Sequence, residues 1–171
     1  MTQQPILFPT AQDSDSSASG EPQRILMVGH SRHPWLDFAA LLTRHGVERL
    51  IDVRNYPQSR FCPHFNARRM AEALDELGIE YQHRGELGGK HPLPYERLRS
   101  EIQGMLPLRN VTCLMCSEGK YVECHRHYFL APLFLEVGVS VDQILPDGSL
   151  LHDSGPTPQT LHKMRDWLPT R

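Results

Sequence analysis

Ile25-Leu26-Met27-Val28-Gly29, then Pro34-Trp35 with Phe38, Leu41 and Leu42, then Leu50-Ile51-Asp52-Val53 is the stretch whose reading decides the fold. A short apolar run stopped by glycine is the pattern of a strand buried on both faces. Pro34 suits a first helical position, the apolar residues after it recur at helical spacing, and Gly46 supplies a stop. With a second apolar run at 50–53, the segment predicts one strand–helix–strand unit.

The same alternation continues. Asn66 is expected to cap a helix carrying Met70, Ala73, Leu74 and Leu77 and closed by Gly78, followed by a short third strand at 79–82. Tyr95, Leu98, Ile102 and Met105 mark a third helix, and 111–115 a fourth strand. A fourth helix is expected from about Cys124 through Phe129, Leu130, Leu133 and Phe134 to Gly138, then a fifth strand at 139–145 and a turn at 145–149. A final helix is expected at 157–168, with Leu161, Met164 and Leu168 inward. Repeated strand–helix alternation predicts a three-layer α/β fold: a mostly parallel sheet of about five strands with helices on both faces. Ligands bind such folds at the carboxyl ends of the strands. Residues 1–23, rich in Ser, Gln, Asp and Pro and without periodicity, read as a disordered N-terminal tail, and 24–171 as a single α/β domain.

Composition excludes several classes. A chain of 171 residues with 39% hydrophobic residues can bury a core without disulfides or a metal. Its apolar runs fall far short of the roughly 20 residues of a membrane span. The start lacks the basic segment and apolar run of a secretory signal, so the expected compartment is the cytoplasm, with the 4 cysteines reduced. A net charge of -2, concentrated in the tail, argues against coating a polyanion through bulk positive charge. Any anion site is therefore local. Arginine far outnumbers the lysines Lys90, Lys120 and Lys163, and most of the 10 histidines fall in the loops where such a fold does chemistry.

Three of those loops carry candidate anion-binding residues. After the first strand come Gly29, His30, Ser31 and Arg32, donors beside a helix start. After the second, Asp52, Arg54 and Arg60 precede Arg68 and Arg69 with no further acid before Glu72, interleaved with Tyr56, Phe61 and Phe65. Guanidinium groups among aromatic faces suit phosphate plus base recognition. The plainer alternative is that Asp52 and Arg54 form an internal pair holding the loop. The third loop contains Gly88-Gly89-Lys90, whose amides could present an anion-binding concavity.

The sharpest feature is Cys116-Ser117-Glu118-Gly119-Lys120-Tyr121-Val122-Glu123-Cys124-His125-Arg126-His127. A thiol beside His125, Arg126 or Lys120 could be substantially thiolate near neutral pH. Three readings stand. Cys116 or Cys124 is a nucleophile with His125 as general acid or base and Arg126 as an anion clamp. Alternatively Cys116, Cys124, His125 and His127 bind zinc, although the seven residues between the cysteines are not a zinc-knuckle spacing. In the third, both cysteines are buried packing residues and Arg126 pairs with Asp52 or Glu118. Cys113 falls on the opposite strand face from Cys116 and is expected to pack.

Read in order, Gly29-His30-Ser31, Asp52-Val53-Arg54, Pro57 with Ser59-Arg60, Pro63 with Phe65-Asn66, Leu87-Gly88-Gly89, and Cys116, Glu118 and Cys124-His125-Arg126 resemble domain-of-unknown-function family 488, also called YeaO-like, over about 24–145. The resemblance implies an α/β fold with these motifs converging on one site, and carries no activity with it. The family often has Asn or Thr where this chain has Arg32. A looser similarity is to rhodanese-like domains, through Asp52-Val53-Arg54 and Cys116-Ser117-Glu118-Gly119, although here the arginine arrives only at Arg126.

The residues thus predict an enzyme acting on an anionic, phosphate-bearing substrate, a nucleotide or nucleic-acid end. Cys116, Cys124 and His125 would be catalytic. His30, Ser31, Arg32, Asp52, Arg54, Arg60, Gly88, Gly89, Lys90, Glu118 and Arg126 would bind. No metal or other cofactor and no membrane partner is expected. The alternatives are a non-catalytic nucleotide or nucleic-acid binding module and a rhodanese-like thiol or sulfur transferase.

Overall fold

The computed structural model of the protein describes residues 23–108 and 110–158. The expected tail, apart from Gln23, and nearly all of the expected final helix lie outside them. Gln23 itself is anchored: its backbone O accepts from Ser140 N at 2.9 Å and its Oε1 from Leu108 N at 3.0 Å.

Six strands form one sheet: β1 (Arg24–Gly29), β2 (Arg49–Asp52), β3 (Glu80–His83), β4 (Thr112–Cys116), β5 (Ser140–Ile144) and β6 (Leu150–His152), in the order β3-β2-β4-β1-β5-β6. The first five pair in parallel. β6, which the sequence reading lacks, returns antiparallel to β5 at the sheet edge, so the 145–149 turn is the bend of a hairpin. The helices are α1 (Trp35–Arg44), α2 (Ala67–Asp75), α3 (Tyr95–Gln103) and α4 (Ala131–Glu136).

Strand alternation divides the core into two layers. Leu26, Val28, Cys113 and Met115 face Phe38, Leu42, Met70 and Leu74 of α1 and α2. Ile25, Met27, Leu114 and Cys116 face Leu98 and Ile102 of α3 and Leu133 and Phe134 of α4. The α/β fold with helices on both faces is therefore borne out. Because β1 feeds α1 on one face while its neighbour β4 feeds α4 on the other, a crevice opens between their carboxyl ends. No helix among the described residues is long and apolar enough to cross a membrane.

One local expectation needs correction. Asn66 precedes α2 but its side chain makes no cap; its Oδ1 accepts from Ser59 N at 2.6 Å and ties down the arginine loop instead. The fourth helical segment begins at His125, within a residue of its expected start, but its first turn is not α-helical. A 3-10 turn (Tyr121–Glu123) leads to an extended Cys124, then a π-helical turn (Arg126–Leu130) runs into α4. Pro132 has no N–H to bond back one turn, and the widened turn ahead of it accommodates that gap in the ladder.

Gly29 shows how tightly the crevice is closed at its base. A Cβ there would lie 1.8 Å from the Glu118 carbonyl oxygen and 2.8 Å from Arg126 Nη1. Gly29→Ala is expected to lose about 1–3 kcal/mol in urea denaturation, as overpacking does. Gly104→Ala, whose nearest new contact is Ser100 O at 3.4 Å, should stay within about 1 kcal/mol of the parent or gain slightly.

Candidate active site

The strand ends are stitched by backbone bonds that fix the side chains leaving them. His30 N donates to Cys116 O (2.9 Å), Ser31 N to Ser117 O (3.0 Å), and Val53 N to Met115 O (3.0 Å). Ser31 adopts a left-handed φ of 46° to make this turn. Above the stitches lies a cavity of about 920 Å³, bounded by His30, Arg54, Asn55, Lys90, Cys116 and Cys124, with His125 also at its wall. The loops after β1, β2 and β4 do meet around one void.

Arg54 and Asp52 form the internal pair that was the plainer expectation. Arg54 donates from Nε to Asp52 Oδ1 (2.8 Å) and from Nη2 to Oδ2 (2.6 Å), and Nη2 also reaches Phe65 O (2.7 Å). Tyr81 OH donates to Asp52 Oδ2 at 2.9 Å. Arg54 Nη1 donates to His30 Nε2 (3.1 Å), so the His30 proton resides on Nδ1, which donates to Ser31 O (2.8 Å). Burial, and then the Arg54 charge, lower the His30 pKa to about 4, which keeps the ring neutral.

A second buried arginine faces the cysteines. Arg126 is only 1% exposed. It donates from Nη1 to Cys116 Sγ (2.7 Å) and Glu118 O (2.6 Å), and from Nε to Gln143 Oε1 (2.9 Å). Its partner at residue 118 is thus the backbone carbonyl; the Glu118 carboxylate is exposed, and Asp52 belongs to Arg54. Gln143 is held in turn by Asp153 Oδ2, to which its Nε2 donates at 2.7 Å; His127 Nδ1 donates to Asp153 Oδ1 at 2.9 Å. Burial pushes the Asp153 carboxyl up, but bonds from His127, Gln143 and the Gly155 amide outweigh it and lower the pKa. His127 does not fall within the cluster that Cys116, Cys124 and His125 form.

Cys116 Sγ and Cys124 Sγ are 2.9 Å apart. Burial raises the Cys116 pKa, but the hydrogen bond from Cys124, the Arg126 charge and the Glu118 backbone more than offset it and lower the value to about 7. Cys124 moves the opposite way: burial, donation to Cys116 and the Cys116 negative charge raise it. The opposite shifts make Cys116 the more acidic member of the pair and Cys124 its donor. His125 Nδ1 lies 3.5 Å from Cys124 Sγ, and burial followed by Arg126 lowers its pKa to about 4. Its buried Nε2 has no hydrogen-bond partner among the described residues.

Cys116, Cys124 and His125 bring three possible metal-ligand atoms within 4.8 Å of one another. A tetrahedral zinc ion with Zn–S near 2.3 Å would hold two sulfurs about 3.7 Å apart. The observed 2.9 Å suits a hydrogen-bonded pair better than a bridged ion.

Other predicted residues fall elsewhere. Arg32 and Arg60 are exposed and do not line the cavity. Gly88 and Gly89 serve close approach: a Cβ would meet the Asn55 side chain at 2.4 Å and His125 Cβ at 2.5 Å, respectively. The Gly88 amide donates to Gly85 O and the Lys90 amide to Asn55 Oδ1. Lys90 reaches the rim, with Nζ 5.5 Å from the centroid of the exposed Tyr56 ring. Gln143 and Asp153 are absent from the predicted set; the one visible signal is for Gln143, a polar residue beside Asp142 inside the apolar 139–145 run.

Residues 35–101 match the family model of the domain of unknown function DUF488. The family resemblance is borne out over α1 to α3, a span that includes Asp52, Arg54, Gly88 and Gly89 but ends before Cys116 and Cys124. The rhodanese-like similarity is not shown. No curated protein and no solved structure matches the chain significantly.

Asp52→Ala would strand the Arg54 cation in a buried site. A loss of about 3–5 kcal/mol is expected in urea denaturation, since removing one member of a buried ion pair leaves the other uncompensated. The exposed Arg68–Glu72 pair is the control: Glu72→Ala should cost under about 1 kcal/mol.

Proposed function

We propose that the protein is an enzyme in which the Cys116 thiolate attacks an anionic, phosphate-bearing substrate held in the strand-end cavity. The observation that carries this reading is the position of Cys116 Sγ, between the Arg126 guanidinium at 2.7 Å and the Cys124 thiol at 2.9 Å, at the wall of a cavity. A buried packing cysteine has no need of a cation, whereas a nucleophile needs its thiolate form. Cys124 supplies a proton donor, and neutral His125 stands beside it with Nδ1 at 3.5 Å.

The cavity volume, about 920 Å³, lies within the range that accommodates a nucleotide-sized ligand. Lys90 makes no ion pair among the described residues, and its ammonium beside the exposed Tyr56 ring offers charge and a stacking face together. Arg54 is neutralised by Asp52, and Glu118 and Glu123 also line the cavity, so the affinity for anions falls to Lys90 and the neutral donors Asn55, Gln58 and Ser59.

The test is alkylation by iodoacetamide followed against pH. The thiolate fraction grows as pH rises through the lowered pKa, so the rate should climb around pH 7 and fall away below it. Cys116→Ser should abolish that step, and inorganic phosphate or a nucleoside monophosphate should slow it in the parent. A rate that climbs only near the ordinary thiol value of about 8.5, with no protection, would sink the nucleophile. If the nucleotide binds equally well to Cys116→Ser and the parent shows no low-pH step, the protein is a binding module instead.

A further inference from the structure

We infer that Cys116 and Cys124 form a dithiol–disulfide couple that exchanges two electrons with a disulfide substrate, Cys116 attacking and Cys124 resolving. This rests on the reading of Cys116 as the nucleophile and adds the class of electrophile that suits a second thiol at 2.9 Å. A single-thiol enzyme needs no such neighbour, and among the described residues the other two cysteines are placed away from it: Cys62 and Cys113 pack in the opposite core layer, while Cys116 and Cys124 share one. Both residues also line the cavity, so a substrate reaching Cys116 is within reach of Cys124.

The chemistry balances without a further reagent. Cys116 thiolate attacks one sulfur of RSSR, forming a Cys116–SR mixed disulfide and releasing RS⁻. Cys124 gives up its proton to that leaving thiolate and attacks Cys116 Sγ; the Cys116–Cys124 bond forms, the Cys116–SR bond breaks, and a second RS⁻ departs. The protein loses one proton and two electrons in these steps, and RSSR becomes RSH and RS⁻. Closing the bond needs the sulfurs to move from 2.9 Å to about 2.05 Å, a displacement of under about 1 Å. The connecting segment contains Gly119 and only a single 3-10 turn, so no regular helix or strand has to break.

Arg126 gives the couple a direction. In the dithiol form its buried guanidinium has an anion beside it; in the disulfide form that anion is gone and only Glu118 O, Gln143 and neighbouring carbonyls remain. Stabilising the thiolate favours the reduced state, which makes the disulfide an oxidant that small thiols readily reduce.

The reduced full-length protein, treated with a chelator, is incubated with oxidised glutathione and analysed by intact mass and peptide mapping. Expected are loss of two hydrogens with a Cys116–Cys124 bond, reversal by reduced glutathione, a stable single glutathione adduct on Cys116 in Cys124→Ser, and no adduct on Cys124 in Cys116→Ser. Overturning results are a stable adduct on Cys116 of the parent, a bond joining any other pair, no reaction at all, or a disulfide that resists reduced glutathione. Should either serine variant fail to fold, the parent's mass and mapping decide alone. Failure here with phosphate-protected alkylation of Cys116 intact removes only the resolving role of Cys124; success here with no phosphate protection removes only the phosphate-bearing substrate.

Discussion

The guanidinium of Arg126, closed off from solvent, has to be given partners, and the carboxyl end of the sheet is built from the partners it receives. A buried ion left unpaired costs several kcal/mol, enough to consume much of a domain's net stability. Arg126 finds Cys116 Sγ, the Glu118 carbonyl and Gln143, and each contact constrains a different element: the end of β4, the loop behind it, and β5. Gly29 is a glycine because that loop passes where a Cβ would stand. Arg54 meets the same requirement differently. Its partner, Asp52, is a carboxylate bound through both oxygens. The partner of Arg126 is a thiol whose pKa the guanidinium helps to lower, so one arginine is matched by a carboxylate and the other by a sulfur.

The fold was legible because its signals are local and periodic. Apolar runs of four or five residues ended by glycine, and helices with Leu and Phe at helical spacing, place β1, β2, β4, β5, α1 and α3 within a residue or two. β6 escaped because a three-residue exposed edge strand buries nothing and so carries no apolar pattern; only the Asp147-Gly148 turn before it hinted at a hairpin. The start of the fourth helix was legible near Cys124, but its character was not: Pro132 interrupts the ladder downstream and the chain enters through a π turn.

The site was legible in its residue types and less so in their roles. Chemistry-bearing side chains at strand ends converge because topology brings β1, β2 and β4 together, an order that alternation by itself does not fix. Charge was the poorer guide. Arg32 and Arg60 look like Arg54 in sequence, yet they stay in solvent, and only Arg54 has an acid two residues before it to permit burial. Gln143 and Asp153 lie 17 and 27 residues beyond Arg126 and join it only through the β5–β6 hairpin, so no spacing rule could link them.

Cys113 and Cys116 allow the electrostatic origin of the thiolate to be separated from burial. They lie three residues apart on β4, both fully enclosed, on opposite faces. Burial drives the Cys113 pKa far up, and the Arg126 charge, acting across the sheet, does not overcome it. Cys116 suffers the same desolvation but has the guanidinium in contact and a thiol donating to it, and its pKa falls instead. Burial by itself therefore makes an inert thiol on this strand. What sets Cys116 apart is the contact with Arg126, whose guanidinium the Glu118 carbonyl and the Gln143–Asp153 pair hold on that face of the sheet.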